Sequence, residues 1–167
     1  MALALTVLAQ IMGGSAVSRL TKQFVEDEQI ASDLSIDYTY QSIDPRDFSV
    51  SVTLLPKITM EDMKKKVFAA LTLLAEKGVT EKELARAKRD LCAPFAFAKD
   101  GLDAASDAFT ALAHDIPVED IENQEALIQS VTLEQVNQAA KFLFSKQPAV
   151  ILVLKPEDKN SEKPKKD

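Results

Sequence analysis

The spacing of apolar residues changes along this chain from every third or fourth position to every second and back again, and that change constrains its fold more than any other feature. Leu3, Ala4, Val7, Leu8 and Ile11 recur at helical spacing within the first dozen residues. Gly13-Gly14 breaks this helix, and Ser15 or Ser18 is placed to cap a second one running through Leu20, Phe24 and Val25 to about Ile30. The period then becomes two. Leu34, Ile36, Tyr38 and Tyr40 fall on one face, and Ser35, Asp37 and Thr39 on the other. After a turn at Asp44-Pro45-Arg46-Asp47, Phe48, Val50, Val52 and Leu54 alternate with Ser49, Ser51 and Thr53. Two alternating segments joined by a short polar loop predict an antiparallel hairpin with one wet face.

Helical spacing returns after Pro56. Thr59 caps a helix whose inner face is Met60, Met63, Val67, Leu71 and Leu74, with Asp62 in a capping-box position and Gly78 as the stop. Thr80 and Glu83 form the capping box of the next helix, lined by Leu84, Ala87 and Leu91; Pro94 is expected to kink or end it. More helix is predicted through Leu102, Ala105, Phe109 and Leu112, and another opens at Pro117 with Ile121, Leu127 and Ile128. Thr132 caps the last, with Leu133, Val136, Ala140 and Leu143 inward. The run Ala149–Leu154 is apolar on both faces and reads as a covered central strand. Strands and helices are segregated, so the expected fold class is α+β. The architecture is a two-layer sandwich, an antiparallel-rich sheet packed on one face by several helices. Residues 1–156 read as one domain, and the charged stretch 157–167 as a disordered tail.

Composition narrows function mainly by exclusion. A chain of 167 residues buries enough surface to fold without disulfides. Its 26 acidic against 20 basic residues give a net charge of -6, which disfavours nucleic acid as a partner. The apolar start is too short to span a bilayer and lacks the basic residues of a secretory leader, so it reads as a buried helix and no membrane span is expected. With one Cys and one His, Cys92 and His114, the chain cannot assemble a zinc site of its own. His114-Asp115 lacks a nucleophile at a recognisable spacing, and Cys92, beside Leu91, fits a small buried hydrophobe. Lys64-Lys65-Lys66 and the Arg86, Lys88, Arg89 group are interspersed with Glu61, Glu83 and Asp90, as on solvated helix faces. Glu26-Asp27-Glu28 lacks the alternating ligands of a calcium loop. The residues alone therefore assign no catalytic, cofactor-binding or metal-binding site.

Four ordered motifs add a resemblance. Leu8–Leu20, with Gly13-Gly14-Ser15 and Ser18-Arg19-Leu20, resembles the "vLa.iLGGG..SRL" signature of the insulinase/pitrilysin family of zinc metallopeptidases, the inverzincins. Phe24-Val25-Glu26 and Glu28-Gln29-Ile30-Ala31 resemble its "LV.E..LA". Gly78–Lys88 is similar to "GVTeeELeRAK", and Val131–Val136 to "VTaedV", with Ala139-Ala140 following. The final apolar run ending in Lys155-Pro156 also fits. This resemblance covers nearly all of residues 3–156 and implies the C-terminal half of a family domain.

The family's zinc site is an inverted His-x-x-Glu-His helix with a downstream Glu, and no such motif occurs here. Family members also begin this half with a strand before the first helix, whereas this chain starts inside that helix, which implies a longer parent. The Arg and Tyr with which many members bind substrate backbone correspond to Val25 and Ser32. The resemblance thus implies a half-domain inactive alone, with zinc held by the parent rather than by this chain. Its role would be chamber wall and interface for extended peptide substrate. Its partners would be the zinc-bearing N-terminal half and a second family subunit or domain, with self-association of the isolated chain also expected. The alternative is an inactive structural or assembly subunit of the same family. By family analogy the compartment is the periplasm or cell envelope, with cytoplasm as the alternative.

Overall fold

The computed structural model describes residues 1–38, 47–98, 123–144 and 150–155. Helix α1 (Ala2–Gly13) leads into a single turn α2 (Arg19–Thr21) and a π-helical stretch, Lys22–Asp27. Strands β1 (Ala31–Asp37) and β2 (Ser49–Leu54) follow, then α3 (Met60–Lys77), α4 (Glu81–Ala98), α5 (Gln124–Ser130) and α6 (Leu133–Phe144). The α+β class is as the sequence predicts.

Helix α1 is the centre of the fold. Ala4, Leu5, Val7, Leu8, Ala9, Ile11 and Met12 are all buried, so the helix is apolar on more than one side and has neighbours to match. It packs against α2, α4, α5, α6 and β1. Its last turn lies against β1 so closely that a Cβ on Gly13 would sit 2.6 Å from Ile36 Cγ1 and 2.9 Å from Leu34 Cδ2. Only glycine permits that approach.

The hairpin is antiparallel, with Leu34 opposite Val52 and Ile36 opposite Val50. Leu34 and Ile36 are buried, while Asp37, Ser49, Ser51 and Thr53 are exposed, which is the one-sided cover the alternation predicts. A register shift between Ala31 and Asp33 leaves Ser32 as a bulge. At the far end of the hairpin Phe48 stacks edge-on against Phe144 of α6, centroids 6.1 Å apart, and meets Tyr38 at 6.2 Å.

Helix ends follow the predicted caps. Thr59 Oγ1 accepts from Asp62 N at 3.2 Å, Thr80 Oγ1 from Glu83 N at 3.3 Å and Thr132 Oγ1 from Gln135 N at 3.2 Å. Gln135 Oε1 accepts from Thr132 N at 2.9 Å, completing a capping box at α6. Gly78 ends α3 with φ +74°, a conformation that disfavours any side chain.

Three expectations need correction. The second helix does not continue to Ile30: α2 widens into the π-helical stretch after Thr21, and Gln29 then takes φ +50° to turn the chain into β1. Pro94 does not end α4, which runs on to Ala98. Pro94 and Asp90 are both exposed, so the carbonyl that loses its helical partner faces water. Lastly, 150–155 forms no strand. Val150, Leu152 and Leu154 are 87%, 88% and 98% exposed, and among the described residues the sheet consists of β1 and β2 alone. An apolar run becomes a buried strand only if a neighbour takes its backbone groups, and none of the described residues pairs with it. The predicted helices at 102–112 and 117–121, the loop at 44–46 and the tail at 157–167 lie outside the described residues, as do Thr39, Tyr40 and His114-Asp115.

Candidate functional site

Three sequence motifs, far apart in the chain, meet at one corner. Arg19 projects from α2 and grips Glu83 with both arms of its guanidinium: Nε donates to Oε1 at 2.8 Å and Nη2 to Oε2 at 2.6 Å. The remaining arm, Nη1, donates to the Gly78 carbonyl at 3.1 Å. This fork is the bidentate geometry that arginine provides and lysine does not. Glu83 Oε2 also accepts from Thr80 N and Thr80 Oγ1, each at 2.8 Å. Both carboxylate oxygens are therefore engaged, Oε2 by three donors and Oε1 by one. Burial opposes ionisation of Glu83, but the bonds from Arg19 and Thr80 outweigh it and hold its pKa below the ordinary value.

The third motif enters through α6. Asn137 Oδ1 accepts from Val79 N at 2.8 Å, the first amide after the glycine stop. A Cβ on Gly78 would lie 2.6 Å from that oxygen. Beneath the corner Ser18, 1% exposed, donates from Oγ to the Gln10 carbonyl at 2.8 Å and accepts from Ser15 N at 3.0 Å. The same Gln10 carbonyl also accepts from Gly14 N at 3.2 Å, so the end of α1 is held from two sides. Ser18 holds the predicted N-cap position of α2, where its carbonyl accepts from Lys22 N at 2.8 Å, but its hydroxyl bonds the preceding helix instead.

The segment from Lys22 to Ser32 has a different character. Phe24 anchors it, fully buried, and the half-buried Val25 packs at the edge of the same core. Ser32 is exposed on β1, with its hydroxyl 3.4 Å from the Thr53 carbonyl. Val25 offers no polar atom and Ser32 only a hydroxyl already turned to the hairpin, so neither can hold a peptide as an Arg–Tyr pair would. Glu28 is fixed by Lys66 Nζ and Gln23 Nε2, each at 2.8 Å, which lower its pKa. Thr21 Oγ1, just before the π-helical stretch, is buried without a hydrogen-bond partner among the described residues.

The donor set does not fit zinc. One imidazole and one thiol fall short of the usual ligand set. Among the described residues no group of three or more His, Cys, Asp and Glu side chains is placed to hold a metal ion. Cys92 is half-buried on α4; burial raises its pKa, and its sulfur lies 3.4 Å from Gln129 Nε2. A shallow groove of about 360 Å³ between α4 and α5 is lined by Glu81, Leu84, Ala85, Lys88, Arg89 and Gln129. Lys88 is committed there to the Gln129 carbonyl at 2.7 Å. Among the described residues, no helix is long and apolar enough to cross a membrane.

Residues 2–91 match the family described as Peptidase M16 inactive domain, and the chain belongs to that family. In solved structures the same fold appears in a protease from Helicobacter pylori, with TM-score 0.71 and 19% identity over 84% of this chain and 33% of that one. A peptidase M16 inactive domain from Pseudomonas fluorescens gives 0.67 and 22%, again over 84% of this chain and 33% of that one. A conserved protein from Enterococcus faecalis V583 gives 0.64 and 22% over 83% and 32%. The chain therefore spans about a third of the length of the structures it matches. No curated protein matches it.

Proposed function

We propose that this chain is the non-catalytic half of an M16 zinc metalloendopeptidase domain and forms a chamber wall and partner interface. The observation that carries this reading is the match of residues 2–91 to the inactive-domain family, in a chain whose donor set fits no zinc site. Zinc and the water it activates belong, on this reading, to a zinc-bearing partner half, and peptide passes between the two. A second family subunit or domain supplies whatever grips the peptide backbone, because Val25 and Ser32 cannot. The periplasm or cell envelope is the proposed compartment.

The absence of gripping side chains at Val25 and Ser32 also favours a second reading, an assembly subunit whose complex cleaves nothing. One experiment separates them. The full chain is incubated with zinc and unfolded peptides, first alone and then with a zinc-bearing M16 half. The first reading expects no turnover alone and turnover in the mixture. A complex that forms but stays silent favours the assembly subunit. Turnover by the isolated chain that survives removal of trace proteases overturns both.

A further inference from the structure

Departures from regular geometry gather between Thr21 and Gln29. The helix widens there: the Glu28 amide donates to the Gln23 carbonyl at 2.9 Å and the Ile30 amide to the Phe24 carbonyl at 3.0 Å, each further back than the α-helical partner. Gln29, at φ +50°, is the one non-glycine residue with positive φ among the described residues. Thr21 Oγ1 is the one buried side-chain oxygen or nitrogen among them without a partner. Strain of this kind persists only where the surroundings hold it in place. Here the hold is uneven. Phe24 and Ala31, 0% and 1% exposed, fix the two ends. Between them Glu26, Asp27 and Gln29 are exposed, and Val25 and Ile30 pack only at the edge of the core. Among the described residues, the side-chain ties of this stretch are those of Glu28, to Gln23 beside it and to Lys66 on α3.

We propose that Val25–Gln29 is a latched flap, which opens locally while Phe24 and Ala31 stay buried, with the Glu28–Lys66 ion pair as its catch. Opening frees Gln29 from positive φ and gives up two backbone bonds and a surface ion pair, for which water substitutes. The one apolar side chain that moves is the half-buried Val25, because Ile30 stays tied to the hairpin through the Leu55 amide at 3.0 Å. Segments that a binding partner remodels are drawn from stretches of such low local stability. This inference does not depend on the peptidase reading.

The test is amide hydrogen exchange on the full chain at neutral pH. Glu28 and Ile30, whose amides are bonded within the flap, are compared with Leu8 and Ile11 in the buried centre of α1. Protection at Glu28 and Ile30 should be lower by roughly tenfold or more, and should not fall with urea as it does at Leu8 and Ile11, since a local opening exposes little surface. Lys66→Met removes the catch at a side chain 44% exposed and should lower protection at Glu28 and Ile30 about threefold. Gln29→Asn, which accepts positive φ more readily, should raise it. Glu83→Gln weakens a corner that the open flap leaves intact, so it should lower protection in α1 and leave Glu28 and Ile30 as they were. Equal protection at all four amides with one urea dependence would overturn the proposal. So would a Lys66→Met chain with unchanged protection at Glu28 and Ile30, a Gln29→Asn chain with none gained, or a loss at these two amides in Glu83→Gln.

Discussion

The corner built by Arg19, Gly78, Glu83 and Asn137 and the segment from Lys22 to Ser32 are adjoining regions with opposite character. In the first, side chains of strong chemical type are committed to one another: a guanidinium fork spends its arms on a carboxylate and a carbonyl. In the second, Val25 is half-buried with no polar atom and Ser32 faces solvent. The comparison teaches that the motifs by which this chain resembles its family are here packing devices. They report the scaffold and are silent about peptide chemistry. If so, substitutions in the corner should cost stability, and one at Ser32 should cost almost none.

The largest effect tests where the second region is anchored. Phe24 is completely buried, so Phe24→Ala should destabilise the chain by about 4 kcal/mol in urea unfolding, the usual cost of emptying a phenylalanine site. A loss near zero would mean that the π-helical stretch is not docked on the core at all, and the contrast would fail. Next comes Gly78→Ala. It places a side chain at φ +74° and against Asn137 Oδ1, and should cost about 2–3 kcal/mol from backbone strain and crowding together. Pairing it with Asn137→Ala separates the two contributions: removal of the clash should recover part of the loss, while Val79 N loses its acceptor.

Glu83→Gln sharpens the comparison through pH. It should cost about 2 kcal/mol at neutral pH, because the ion pair and the ionised capping group go together. The folded-state pKa of Glu83 lies below its ordinary value of 4.5. Its contribution is therefore complete above about pH 4.5, near the unfolded glutamate value, and is lost as pH falls through the depressed folded value. Urea midpoints of parent and variant should be separated at neutral pH and should converge in acid. Parallel curves down to acid pH would show that Glu83 acts through packing and not through its charge.

How much of this was legible in sequence depends on whether the cause is local. Helix caps at Thr59, Thr80 and Thr132, the glycine stop and the hairpin alternation involve residues within a few positions of each other, and the structure has them all. The Arg19–Glu83 bridge spans 64 positions, and nothing in spacing reveals it. The cap position of Ser18 is legible, but the partner of its hydroxyl is not, being a carbonyl eight residues back across the Gly13-Gly14 break. The run 150–154 was read as covered because apolarity says what a segment wants and not whether a neighbour is there to supply it. Of the candidate site, the scarcity of His and Cys can be counted from the sequence. The stapled corner could not, although a capping box with a glutamate leaves one carboxylate oxygen for a distant cation, and that was the signal available.

The smallest expected effect is at the second region's polar position, and it closes the comparison. Ser32 is exposed on a bulge, and its one hydrogen bond is long, at 3.4 Å. Ser32→Ala should therefore change stability by less than about 0.5 kcal/mol, the range for surface sites outside special features. Its value lies in the pairing with Glu83→Gln, a site that is also partly exposed but that carries four acceptor contacts on its two oxygens. If the two substitutions cost the same, exposure alone governs both regions and the corner is no staple. If Glu83→Gln costs several times more, the difference is carried by the four contacts on a carboxylate that is only 19% exposed, where Ser32 faces water with one long bond.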